Sequence, residues 1–339
     1  MLAGTRGAEV NVRSWRRGAL AVTGRPRLIA MLAVSFLPAI AVYALVVRSD
    51  ARPLPSPGGA SAAALPRHAQ SLEGAARPMG VAVAGDGTIY VTEGSGEHRI
   101  RVLDQQGQAL RSMAAPEAEP GASAPVHVAV GPTQEVYVSD QGEDAIRVFA
   151  PDGAYIRDVA PPADTAGVWH PLGVGFAPDG RLLVTDVTPG RHRVMVFDPS
   201  GNFAFAFGSE GNGDGEFSFP NAAAVDAQGR IYVSDSNNGR VQIFDASGSY
   251  IDTISTWAGG KLGLPRGLAI DGRDRMFVAD TLSGLVQVYD VSGAPKFLYS
   301  FGGGVDHPLH YPNGLALDSA GRVYVTDREN NRVEVWQTY

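Results

Sequence analysis

The sequence predicts an all-β fold, a six-bladed β-propeller, preceded by one transmembrane helix. Three observations carry this. A proline recurs at positions 78, 125, 171, 220, 265 and 312, spacings of 45–49 residues. Each is followed by three or four short runs rich in Val, Ile, Tyr and Phe, which favour pleated, half-buried backbone. A single apolar stretch, residues 28–47, lies upstream of all six copies. A four-stranded unit of this length cannot bury both of its faces alone, so repetition around a ring is the solution its period implies.

The strands follow in order within each copy. The fourth copy, residues 220–254, shows them most plainly: Ala222–Val225, Arg230–Ser234, Arg240–Phe244 and Tyr250–Ile254. Between them, Asp226–Gly229, Asp235–Gly239 and Asp245–Gly248 are turn clusters, where Gly and Asn supply positive φ and Asp caps its own turn. Second strands read IYVTE, VYVSD, LLVTD, IYVSD, MFVAD and VYVTD across the six copies, and third strands RIRVLD, AIRVFA, RVMVFD, RVQIFD, LVQVYD and RVEVWQ. The last copy ends at Tyr339, after its third strand. A segment from elsewhere must supply the fourth, and Arg67–Leu72, just before the first blade, is the expected donor.

The pattern P-x-G-[VIL]-A-[VIL]-D, G-x-[VIL]-Y-V-[ST]-D, N-x-R-[VI]-x-V-[FWY]-D resembles the NHL repeat over roughly residues 67–339, with copies four and six matching best. The resemblance implies a six-bladed NHL propeller. It implies no single function, because such propellers serve as protein- or RNA-binding platforms, as sensors and, in a minority, as metal-dependent enzymes.

Upstream, residues 1–27 hold six Arg and one Glu and read as a cytoplasmic tail. Residues 28–47 are long enough, at ~1.5 Å per residue, to span a bilayer core. The arginines place the N-terminus inside and the propeller outside the cytoplasmic membrane, periplasmic or extracellular. A cleaved signal peptide is the alternative, with small residues at 60–64 as the cleavage site. Residues 51–66 read as a Pro/Gly/Ala linker. The bias of 26 Arg to two Lys fits a GC-rich bacterial genome.

Charge and composition exclude several classes. Residues 1–50 carry +5, leaving −12 on the rest, so nucleic acid is not an expected partner. There are no cysteines, hence no disulfide, thiolate metal site or Cys nucleophile. The acids closing the second strands, Glu93, Asp140, Asp186, Asp235, Asp280 and Asp327, recur in every blade and read as structural. An Arg opens the third strand in blades one, three, four and six (Arg99, Arg193, Arg240, Arg332), which predicts an ion pair within each of those blades; blades two and five lack it.

Function is sought where the symmetry breaks. The residues after the leading prolines are Met79, Val126, Leu172, Asn221, Arg266 and Asn313, predicting a channel mouth that is apolar on one side and polar on the other. The candidate binding residues are Asn221, Arg266 and Asn313, with His127, His170 and His310 nearby and Arg328 and Asn330 on the rim. An enzyme is the alternative reading. The resemblance extends to the peptidyl-hydroxyglycine lyase and to calcium- or zinc-dependent lactonases. The lyase's zinc histidines would follow the leading prolines, where this chain has none, although Asp327–Asn330 resembles its arginine-bearing stretch. For a lactonase, Asn221 and Asn313 imitate two ligands but no first-strand Glu accompanies them. His127, one residue late, is expected on the opposite face of its strand. The loop 208–219 offers Glu210, Asn212, Asp214 and Glu216 to calcium, yet its glycines read as an ordinary blade linker. The expected function is a membrane-anchored, non-catalytic binding, scaffold or sensor module for an envelope protein or extracellular ligand, with no cofactor; calcium or zinc belongs to the alternative.

Overall fold

A computed structural model describes residues 65–339, except 118–120 and 163–167. The expected tail 1–27, transmembrane segment 28–47 and most of the linker 51–66 lie outside the described residues; no described helix is long and apolar enough to cross a membrane.

Six four-stranded antiparallel sheets make up the fold, each running from an inner strand outward. Five are built from consecutive strands. The inner strands are Pro78–Val83, Pro125–Val130, Pro171–Phe176, Pro220–Val225, Pro265–Ile270 and Pro312–Leu317. In the sixth sheet the outer strand is Arg67–Glu73, which pairs antiparallel with the final strand Arg332–Gln337 from Arg67 opposite Gln337 to Glu73 opposite Arg332. The first and last strands of the propeller thus close the ring by backbone hydrogen bonds.

Packing follows the pleat. Second strands such as Ile231–Asp235 and third strands such as Val241–Phe244 are buried throughout, as expected of strands covered on both faces, whereas fourth strands such as Tyr155–Asp158 are exposed. Among the described residues, six apolar clusters are each shared by two successive blades. Val81, Ile89 and Leu103 of blade one meet Tyr324, Val333 and Val335 of blade six, with Leu72 of the closing strand among them. The others join blades one and two, two and three, three and four, four and five, and five and six. Each fully buried Val, Leu or Phe contributes about 1.5–3 kcal/mol, so no blade is stable apart from its neighbours.

The innermost hairpin carries a β-bulge just after its leading proline in all six blades. Two residues of the inner strand oppose one of the second strand, which frees an N–H. A Ser or Thr hydroxyl takes it: Gly80 N–H donates to Thr92 Oγ1 (2.8 Å), His127 to Ser139 (2.9 Å), Gly173 to Thr185 (2.7 Å), Ala222 to Ser234 (2.9 Å) and Gly314 to Thr326 (2.6 Å). The same hydroxyls donate onward to a carbonyl of the next blade: Thr92 to Val126 (2.6 Å), Ser139 to Leu172 (2.6 Å), Ser234 to Arg266 (2.6 Å) and Thr326 across the closure to Met79 (3.1 Å). Blade five has Ala279 at this position. Glycine dominates the bulge because a Cβ at Gly80, Gly173, Gly267 or Gly314 would come within 2.3–2.6 Å of the neighbouring carbonyl oxygen.

The recurring acids accept backbone amides of the incoming linker: Asp140 from Ala124, Asp186 from His170, Asp235 from Ser218, Asp327 from His310. Arg193, Arg240 and Arg332 pair with Asp186, Asp235 and Asp327 at 3.2, 2.7 and 3.4 Å, as the sequence predicts. Two blades differ. In blade one Arg99 turns to the neighbouring Glu97 (2.9 Å), and Glu93 meets Arg101 instead (3.6 Å). In blade two Arg147, two residues into the strand, occupies the same face and reaches Asp140 (3.1 Å). In blade five the carboxylate Asp280 Oδ2 is buried without a hydrogen bond, and burial pushes its pKa up.

Ser234→Ala removes both bonds of one relay and strands two buried groups. Unfolding of the full-length chain in urea should show a loss of about 1–3 kcal/mol. Ser200→Ala, on an exposed turn, should cost under about 0.5 kcal/mol.

Candidate functional site

The bulge decides what lines the mouth. Because it sets two successive residues against one, the residue after the mouth position also turns toward the axis. His127 therefore lies within the ring and not on the outer face that simple alternation predicts. Its Nε2 is 3.1 Å from Asn221 Oδ1, a contact from blade two to blade four that fixes the Nε2–H tautomer. His127 and Asn221 are both buried. Burial, helped by the nearby Arg266, pushes the His127 pKa down to about 4.

Next to this pair, Arg266 Nη1 donates to Asn313 Oδ1 (2.7 Å), and Asn313 Nδ2 donates to the Met79 carbonyl (2.7 Å). The Arg266 and Arg328 guanidiniums both approach the ring of Tyr311, at 5.4 and 5.1 Å from its centroid, within cation–π range. Burial, then the charges of Arg77 and Arg266, lower the Arg328 pKa to about 10. Arg77 reaches Glu329 at 2.6 Å. The Tyr311 hydroxyl is buried without a hydrogen bond. The opposite half of the mouth is an apolar cluster of Val126, Leu172 and Val187 with Met79 and Phe219 against it. The mouth is thus cationic and aromatic where Arg266, Tyr311 and Arg328 gather, and apolar where Met79, Val126, Leu172 and Phe219 do, with the polar pair of His127 and Asn221 alongside.

Three residues before leading prolines, Arg77, Phe219 and Tyr311, have φ of 48°, 61° and 64°. Left-handed backbone in a non-glycine residue carries strain that the surroundings must hold, and such positions gather at binding sites. All three side chains lie at the mouth.

Four of the other sequence candidates divide. Arg328 belongs to the site. His170 does not: its Nδ1 is 2.5 Å from Asp144 on the blade-two turn, which raises its pKa. His310 is exposed, with its backbone N–H on Asp327. Asn330 Nδ2 donates to Asp327 Oδ2 (2.7 Å) and the Pro308 carbonyl (3.2 Å), holding a turn together. Tyr311 and Arg77 were missed by sequence reasoning; their signal is the row Arg77, Ala124, His170, Phe219, Leu264, Tyr311, in which three large side chains interrupt a position with no shared type.

The mouth is a poor fit for a divalent cation. The amide oxygens of Asn221 and Asn313 accept hydrogen bonds from His127 and Arg266, and the Arg266 guanidinium stands where a cation would have to approach Asn313. In the 208–219 loop, Glu216 Oε2 accepts the amides of Asn212 (3.1 Å) and Gly213 (2.9 Å), which folds that loop on itself.

Comparison with known proteins agrees with the architecture. Residues 176–257 match a family described as 6-bladed beta-propeller, and residues 309–336 match the NHL repeat. The chain is 53% identical over 45 residues (13% of the chain) to Protein lin-41 of Caenorhabditis elegans. It is 39% identical over 64 residues (19% of the chain) to the E3 ubiquitin-protein ligase TRIM71 of Rattus norvegicus. The matched segments span 4% and 7% of those two relatives. Among solved structures, a gluconolactonase from Xanthomonas campestris superposes with a TM-score of 0.62 at 17% identity, covering 85% of this chain and 99% of that one. A streptogramin B lyase superposes at 0.58 and 12%, covering 80% and 97%. At these identities the likeness is one of fold.

The buried, neutral His127 predicts a pH signature. The unfolded imidazole takes a proton near 6.5 and the folded one only near 4. Stability from this group is complete above the unfolded value and is lost as pH falls from there to about 4, at up to ~1.4 kcal/mol per pH unit. His127→Gln, which keeps a donor toward Asn221, should flatten that limb when unfolding is measured between pH 6.5 and 4; an unchanged slope would mean that His127 takes its proton alike in the folded and unfolded states.

Proposed function

We propose that this propeller is a non-catalytic binding module whose mouth captures an anionic group, such as a carboxylate, on an envelope protein or extracellular ligand. The observation that carries this is the pair of guanidiniums, Arg266 and Arg328, converging on Tyr311 with Arg77 beside them. Burial, then the charges of Arg77 and Arg266, lowers the Arg328 pKa, and an incoming anion relieves that repulsion. Guanidinium is well suited to planar, bidentate recognition of a carboxylate. The buried Tyr311 hydroxyl offers a further donor, and the apolar half of the mouth suits an adjoining hydrophobic side chain. Chemistry is not assigned to the site, because its amide oxygens are held by His127 and Arg266 and metal activation of water needs open ligands.

The apolar stretch 28–47, flanked by arginines, supports a single-pass anchor in the cytoplasmic membrane with the propeller outside the cell interior. A membrane-held platform with this mouth suits a scaffold or sensor role at the envelope.

Acidic peptides offered to the full-length chain should raise its melting temperature, and the same peptides with carboxylates converted to amides should not. Arg328→Gln should weaken binding roughly ten- to a hundredfold, the range for a charge-assisted pair. Equal response to acid and amide would refute anion capture. Topology is open to a second test, since the chain has no cysteine and Val305 is 98% exposed. Val305→Cys should react with a membrane-impermeant maleimide before the cytoplasmic membrane is broken; labelling only after lysis would place the propeller inside.

A further inference from the structure

The ring closure brings together three side chains that the mouth does not use. His68 comes from the closing strand, His307 from the linker that enters blade six, and Glu334 from the final strand. A donor atom from each lies within 4.8 Å of the others. The two imidazoles stack at 3.6 Å between centroids, 11° from parallel. His68 Nε2 is 2.6 Å from Glu334 Oε2, and His307 Nδ1 is 4.0 Å from Glu334 Oε1. A bulge at residues 68–70 lets His68 share a face with Ser71, whose hydroxyl also donates to Glu334 Oε2 (2.7 Å).

Glu334 stands on a strand position where other blades have Arg101, Arg147, Met195, Gln242 and Gln287. In blade four Gln242 bonds to the incoming linker, through the Glu216 carbonyl. In blade six a carboxylate takes that place, fully buried, with Arg332 holding Oε1 at 2.7 Å. Linker packing does not need an ionised group there. His307 Nδ1 is buried with no hydrogen bond, an unspent lone pair or proton facing the carboxylate. Both imidazoles keep partial access to solvent, at 18% and 37% side-chain exposure, so an ion has a path in.

We propose that His68, His307 and Glu334 form a transition-metal site, of Zn²⁺ type, that pins the closure of the ring. Two imidazoles and one carboxylate suit zinc and its neighbours and are a poor set for calcium or magnesium, which prefer oxygen. Zinc holds its ligands at ~2.0–2.2 Å in a tetrahedron. His68 and Glu334 must therefore open by about 1 Å and His307 tilt out of its stack, with water taking the fourth position. Binding replaces the direct contact between His68 and Glu334. Arg332, beside Oε1 at 2.7 Å, orients the carboxylate, and the ion takes Oε2 in place of its contact with His68. The three ligands tie the first and last strands of the propeller to the last linker, in a protein with no disulfide to do so. The proposal is independent of what the mouth binds.

The test is titration of the tag-free, chelator-stripped, full-length chain with zinc sulfate at about pH 7, followed by calorimetry and by thermal unfolding. One zinc per chain is expected, with a raised melting temperature and no comparable effect of magnesium. His307→Gln, on a partly exposed linker, and His68→Gln should each weaken binding roughly tenfold or more, and His310→Gln should leave it unchanged. The second imidazole variant guards against one that folds poorly. Absence of zinc binding in the parent chain, or binding that survives both ligand substitutions, would overturn the site.

Discussion

The interaction on which the structure depends is a single hydroxyl, repeated. At the end of the second strand a Ser or Thr accepts the N–H freed by the inner bulge and donates to the carbonyl of the residue after the next blade's leading proline. It does two things that the apolar clusters do not. It satisfies a buried backbone group that would otherwise cost the fold a few kcal/mol. It also fixes the height at which each inner strand meets its neighbour, because two hydrogen bonds to one oxygen leave little freedom. The relay crosses the closure through Thr326 and the Met79 carbonyl, so the seam is built like the rest of the ring. The hydrophobic clusters between blades supply most of the stability, but they are tolerant of sliding; the hydroxyls are not.

That geometry explains the mouth. The bulge presents two consecutive residues toward the axis, and glycine fills the second of them in four blades, where a Cβ would meet the next blade's carbonyl. Where the pattern departs, at His127, the side chain is driven inward and meets Asn221. The departures at Arg266, Tyr311 and Arg328 lie on the adjoining blades, so the mouth gathers its charge on one side. Site and scaffold are thus set by the same backbone irregularity.

The ring, the six blades, the strand order and the closing segment were legible because each rests on periodicity that a single chain displays six times over. The ion pairs of blades three, four and six were legible for the same reason. What escaped depended on a register change that alternation cannot reveal. His127 was assigned the wrong face for want of the bulge. In blade two, Arg147 stands two residues from the expected position, which on a strand is the same face, so the pair forms all the same. Tyr311 precedes its proline and reaches the mouth only through a positive φ. The cluster of His68, His307 and Glu334 was out of reach altogether: its members are 27 to 266 residues apart, and only the closure makes them neighbours.

The most direct test of the relay is amide hydrogen exchange on the folded full-length chain. The N–H groups of Gly80, His127, Gly173, Ala222 and Gly314, each held by a hydroxyl, should exchange only on global unfolding, at one common free energy. Gly267, in the blade where Ala279 replaces the hydroxyl, should exchange measurably faster. Uniform protection at all six positions, or rapid exchange at the five, would contradict the claim that these hydroxyls hold the blades in register.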